Sequence, residues 1–180
     1  MSSAERIPLN GIKVSPDLLL LRLPAGDGGV TAGPALVRLL AERQINMPFV
    51  SLDSSSDGAV SMLAVEMSRA EAVTGLLQRH NLPGPPAELV PHAVMVSLYP
   101  HATRLGLLGR LLHLAGREAI SVYGMASSIA ALAFLIPHEQ LERALSMLEE
   151  AFALPANRSP YRAEFTVEQS TLMRPSGGRR

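Results

Sequence analysis

The chain repeats itself. Leu21-Arg22-Leu23-Pro24-Ala25-Gly26 is matched in order by Ser97-Leu98-Tyr99-Pro100-His101-Ala102. Leu36-Val37-Arg38-Leu39-Leu40 is matched by Leu111-Leu112-His113-Leu114-Ala115, and Ile45-Asn46-Met47-Pro48-Phe49-Val50-Ser51 by Ile120-Ser121-Val122-Tyr123-Gly124-Met125-Ala126. The identities are few, but the order of pattern types agrees along both halves, at a period of about seventy-five residues. Such a period constrains the fold more than any single motif, because each copy must bury its apolar faces in the same way.

Each half reads strand, loop, helix, strand, turn, strand, helix. In the first, the apolar run Leu18 to Leu23 is short enough for a buried strand. Thr31 is placed to cap a helix with Pro34 in its first turn, where a missing N–H costs nothing. Leu36, Val37 and Leu40 fall on one face of that helix. Ile45 to Leu52 and Ala59 to Val65 read as strands joined by the turn Asp53 to Gly58. Ser68 and Glu71 form a capping box before a helix whose apolar side is Ala70, Val73 and Leu77. In the second half Val94 to Tyr99 is a strand, and Leu107, Leu108, Leu111 and Leu112 line one side of a helix. Ile120 to Met125 and Ala130 to Ile136 form a hairpin, and Leu141, Leu145, Leu148 and Phe152 mark an amphipathic helix. Tyr161 to Val167 alternates as a closing strand. The expected class is α+β, two tandem ferredoxin-like (βαββαβ) repeats. Residues 11–91 and 92–168 hold the copies, with tails at 1–10 and 169–180.

Composition removes many functions. Net charge is zero and aromatics are 4%, which supplies neither a basic nucleic-acid face nor a base-stacking platform. There is no cysteine, so disulfides, thiolate metal sites and cysteine nucleophiles are excluded. The five histidines, His80, His92, His101, His113 and His138, show no metal-ligand spacing. No metal and no cofactor is expected. Residues 1–10 lack the apolar core of a signal peptide. The uncharged stretch Ala119 to Pro137 is nearly long enough to span a bilayer, but its small polar residues at Ala126-Ser127-Ser128 fit two strands and a turn better. The expected location is the cytoplasm, without membrane contact.

In this order the motifs resemble the paired ACT domains of the regulatory half of aspartate kinases. Val96-Ser97-Leu98-Tyr99 is similar to that family's V-S-V-V-G strand, and Gly106-Leu107-Leu108-Gly109-Arg110 to its P-G-V-A-A-R helix start. Ile120 to Ser128 matches I-N-I-x-M-I-S-T-S, as do Ile45-Asn46-Met47 and Val50-Ser51 in the first copy. Leu132 to Ile136 matches the third strand, and Ala151-Phe152-Ala153-Leu154 the closing A-F-x-L. The resemblance covers roughly residues 11 to 168. It implies terminal strands, around Ile12 and Phe165, that cross between copies, and effector pockets that lie between repeats. The kinase half and its K-F-G-G motif are missing: Lys13 is the one lysine and Val14 follows it.

A free amino acid needs N–H donors for its carboxylate and oxygen acceptors for its ammonium. The loop Ala25, Gly26, Asp27, Gly28, Gly29, Val30 and Thr31 combines glycines, a carboxylate and a helix start. Asn46 and Met47 in the next strand complete the first-copy candidate. The second copy offers His101, Thr103 and Ser121, but Pro100 and Ala102 stand where the family's loop has glycines. The glycine-rich loop lacks the lysine of a P-loop and the full G-x-G-x-x-G spacing. Asp53 and Asp57 flank a solvated turn rather than forming a catalytic pair. The expected function is a non-catalytic regulatory module that binds an amino-acid effector, as a homodimer or with a separate enzyme. The alternative is a purely structural oligomerisation module without ligand.

Overall fold

In a computed structural model of the protein, the residues described are 6–24, 32–52, 60–100, 106–128 and 130–153. Ile7–Val14 form β1, Leu18–Pro24 form β2, and Glu88–Pro100 form a long strand, β5. β1 and β2 run in succession antiparallel to β5: Ile12 lies opposite Leu98, Val14 opposite Val96, Leu18 opposite Ala93 and Arg22 opposite Glu88. The joint between them is pinned from three sides. Ser15 N–H donates to Met95 O at 2.9 Å, Met95 N–H donates to Ser15 Oγ at 2.9 Å, and Met67 N–H donates to Asp17 O at 2.8 Å.

The first repeat continues from β2 through α1 (Gly33–Glu42), β3 (Phe49–Ser51), β4 (Val60–Glu66) and α2 (Ala70–Arg79) into β5. Its strands lie in the order β3-β4-β2-β5, all antiparallel. The second repeat uses β5, α3 (Gly106–Arg117), β6 (Gly124–Ser127), β7 (Leu132–Pro137) and α4 (Leu141–Ala151). Here β6 pairs β7, β7 pairs β5, and the far edge of β5 is taken by β1. This is the split β-α-β arrangement twice over. The strand around Ile12 therefore precedes one copy and completes the other. A two-residue β8 (Phe152–Ala153) runs parallel to β1 at Ile7 and Pro8. The closing strand expected at Tyr161 to Val167 lies outside the described residues.

The period is visible in the hydrogen bonds. Helices α1 and α3 both end through a left-handed residue, Gln44 at φ 56° and Ala119 at φ 51°. Ile45 N–H then reaches back to Leu40 O at 2.9 Å, and Ile120 N–H to Ala115 O at 2.8 Å. That is the six-to-one bond of a Schellman motif, and the isoleucine after it turns inward. Ile45 and Ile120 are both buried beside the helices they terminate.

Packing explains why β2 is apolar at consecutive positions. Leu19, Leu21 and Leu23 face α1 and α2, joining Leu36, Leu40, Leu63, Val73 and Leu76. The second repeat builds the matching core from Val94, Val96 and Leu98 with Leu107, Leu111, Phe134, Leu145 and Leu148. Leu18 and Leu20 point the other way, into a third cluster with Phe49, Ala64, Ala93, Met95 and Leu135. A strand buried on both faces has no polar side to alternate. In the third cluster the helix-free faces of the two repeats meet. A Cβ on Gly124 of β6 would stand 3.0 Å from Met62 Cε and 3.4 Å from Phe49 Cζ, both in the first repeat.

Several local expectations change. The strand expected over Ile45 to Leu52 pairs only from Phe49 to Ser51, because Gln44 is left-handed and Pro48 has no N–H to give a ladder. The hairpin's first strand begins at Gly124 rather than Ile120. Ser68 caps nothing: it lies in a 3₁₀ turn, Met67–Arg69, and its Oγ donates to Glu66 Oε2 at 3.3 Å. The N-cap of α1 is Ala32, without a side-chain bond; Thr31 lies outside the described residues. On α2 the buried pair is Val73 and Leu76, with Ala70 and Leu77 packed partly beside them. On α3 the inward face is Leu107, Leu111, Leu114 and Ala115, while Leu108 and Leu112 remain 38% and 48% exposed. The apolar stretch after Ala119 is the β6–β7 hairpin. Among the described residues no helix is long and apolar enough to cross a membrane.

Candidate functional site

Ala25, Gly26, Asp27, Gly28, Gly29, Val30 and Thr31 lie outside the described residues, as do His101 and Thr103. The two ends that hold the first loop are defined. β2 delivers the chain at Pro24, and α1 receives it at Ala32, whose carbonyl accepts the Leu36 N–H at 2.9 Å. Pro34 in the first turn sets φ for the helix and donates nothing. Gly33 seats this helix end against the sheet: a Cβ there would come 2.9 Å from Leu52 Cδ2 and 3.1 Å from Ser61 Cβ. No other residue type permits that approach without displacement.

A cavity of about 470 Å³ opens between these two ends, lined by Leu23 and Ala32, by Thr74, Leu77 and Gln78 of α2, and by the segment from His80 to Leu89. Its polar groups include Gln78, His80 and Asn81. Thr74 Oγ1 is engaged, donating to Ala70 O at 2.9 Å. Sequence reasoning missed this wall. The signal present was the proline- and glycine-rich stretch Leu82-Pro83-Gly84-Pro85-Pro86 directly after α2, with Gly84 at φ 87°.

The remaining sequence candidates lie elsewhere. Asn46 is exposed, two residues after the left-handed Gln44, and Met47 packs partly against the helix-side core of its own repeat. Ser121 holds the equivalent of Asn46 after Ala119. Its N–H donates to Gln140 Oε1 at 2.7 Å, and Gln140 Nε2 donates to Ser121 Oγ at 3.4 Å. None of Asn46, Met47 and Ser121 lines the cavity at Leu23 and Ala32. Among the described residues no cluster of histidine and acidic side chains has the geometry to hold a metal ion.

Comparison with solved structures places this arrangement. The ligand-free regulatory subunit of aspartate kinase from Thermus thermophilus superimposes with a TM-score of 0.67 over 81% of this chain and 99% of that one, at 20% identity. The fold is that of aspartate kinase regulatory subunits. A structure of aspartokinase alpha and beta subunits gives a TM-score of 0.70 at 12% identity, covering 79% of this chain and 97% of the other. The aspartate kinase from Synechocystis matches 84% of this chain at a TM-score of 0.66 and 11% identity, but only 28% of its own length. The two repeats thus correspond to nearly the whole of a regulatory subunit in one case and to part of a longer kinase in the other. No protein-family model matches the sequence, and no curated protein matches it.

Proposed function

We propose that the chain is a non-catalytic regulatory module that binds an amino acid through the loop 25–31 and controls a separate enzyme. The observation that carries this reading is the match over nearly the whole length of a regulatory subunit. The site chemistry is consistent with it. A loop between a buried strand and a helix N-terminus supplies free N–H groups and a partial positive charge for a carboxylate. Asp27 supplies the acceptor for an ammonium group, and Gly26, Gly28 and Gly29 allow close backbone approach. The cavity at Leu23 and Ala32 gives room for a side chain.

We further infer that the copies divide within β5, that the protein works in the cytoplasm, and that two chains associate. Asn46 and Met47 reach the effector from a neighbouring repeat in that assembly. Sedimentation showing a strict monomer with and without effector contradicts the dimer. A second reading, a structural oligomerisation module without ligand, draws on the exposed Leu108 and Leu112 of α3. A thermal-shift screen against the common amino acids separates the two. A ligand present at about a hundred times its dissociation constant adds about 2.7 kcal/mol of stability, whereas the assembly module responds to none.

A further inference from the structure

At the end of β2 opposite the loop 25–31, the two repeats bring three polar residues together. Asp17 precedes β2 and His92 lies within β5, each after a proline: Pro16 and Pro91, seventy-five residues apart by subtraction. His138 opens the 3₁₀ turn before α4. His92 Nδ1 lies 2.5 Å from Asp17 Oδ2, and His138 Nδ1 lies 3.0 Å from Asp17 Oδ1. Burial pushes the Asp17 carboxyl up, but hydrogen bonds from His138 and His92 and their charge outweigh it, leaving Asp17 below its ordinary value. An ionised carboxylate only accepts, so each Nδ1 carries the proton it gives to Asp17, and in that imidazole tautomer Nε2 is an acceptor.

These side chains line a cleft of about 490 Å³ together with Glu139, Tyr123 and two prolines, Pro91 and Pro137. Glu139 is exposed and makes no ion pair or hydrogen bond among the described residues. Among the described residues no lysine or arginine contributes to the lining. The first repeat makes the same 3₁₀ turn with Met67 and Ser68 where the second has His138 and Glu139. The fold therefore does not require the polar cluster, and the asymmetry calls for another explanation.

We propose that this cleft binds a primary ammonium group on a short apolar stem, as in a simple alkylamine or diamine. The ammonium offers three donors, and Glu139 with the two imidazole Nε2 atoms supplies the acceptors. Tyr123, Pro91 and Pro137 give the stem an apolar wall. A free amino acid is disfavoured, because its carboxylate meets Asp17 and Glu139 with no cationic side chain among the described lining residues to pair it. This site is separate from the loop 25–31 and stands independently of the effector reading.

The test uses the full chain and n-butylammonium chloride, followed through the histidine ring signals by NMR at about pH 8, where ordinary imidazoles are neutral. The His92 and His138 signals, assigned by substitution, should shift to saturation. Sodium butyrate should leave them unmoved, and norleucine should bind more weakly than butylammonium. Glu139→Gln should weaken binding about tenfold or more, while His113→Gln on the outer side of α3 should change nothing. Shifts linear in amine concentration, equal response to butyrate, or unchanged affinity in Glu139→Gln each overturn the proposal.

Discussion

Replacing Phe49 with Ala should unfold both repeats together. Phe49 sits in the three-residue edge strand β3, yet it is 4% exposed and belongs to the cluster that also takes Ala93, Met95 and Leu135. It touches the second repeat near Gly124. Removing a buried phenylalanine costs about 3–5 kcal/mol, the transfer of its ring plus the cavity left behind. In a chain of this size each kcal/mol lowers Tm by about 2–4 °C, so a fall of about 6–20 °C is expected. Val50, its neighbour, is 41% exposed, and Val50→Ala should stay within about 0.5 kcal/mol of wild type. The protein has no tryptophan and three tyrosines. In a Tyr161→Phe background, tyrosine emission therefore reports the second repeat through Tyr99 and Tyr123. That transition should move with the far-ultraviolet circular dichroism transition when Phe49 in the first repeat is truncated. A tyrosine transition that stays at the wild-type temperature would refute the shared third core.

Other outcomes follow from single positions. Gly33→Ala should destabilise by about 1–3 kcal/mol in urea melts, since Ser61 Cβ cannot yield as a side-chain tip can; Gly109→Ala on α3, where a Cβ meets nothing within 4 Å, should instead stabilise by about 0.5–1 kcal/mol. Asp17→Asn tests the carboxylate through pH. Its folded pKa lies below the ordinary 3.8, so its contribution is present above that value and is lost as pH falls through the folded one. Wild type and Asp17→Asn should differ in urea midpoint near neutrality and converge in strong acid; a constant gap at every pH contradicts the assignment.

The repeat was legible because its punctuation is local. Apolar runs, helix faces and the isoleucines after α1 and α3 recur at one spacing, and the Schellman turns at Gln44 and Ala119 show why. The resemblance also pointed to the crossing of the strand around Ile12, which pairs with Val96 to Pro100 of the second copy. The helix-free core was not legible: Phe49, Ala64, Met95 and Leu135 come from four strands, and periodicity says which face a residue occupies but not what covers it. For the same reason the spacing on α3 groups Leu108 and Leu112 with Leu107 and Leu111, although Leu114 and Ala115 take the inward side. Capping motifs misled at Ser68 because a 3₁₀ turn precedes α2 and places the hydroxyl beside Glu66 instead. The cavity sets Gln78, His80 and Asn81 against Leu23 and Ala32, and the cluster sets His138 against Asp17 and His92, contacts across the chain that periodicity does not disclose.

Isothermal titration of the common amino acids into wild type and Asp27→Ala decides whether the loop 25–31 holds an amino acid, as we propose. One amino acid should bind wild type saturably, and Asp27→Ala should lose about 1.5–3 kcal/mol of that affinity, the scale for a hydrogen bond to a charged group, with the same Tm when no ligand is present. Equal binding by both proteins would move the site away from Asp27, and no heat from any amino acid would contradict the effector reading itself.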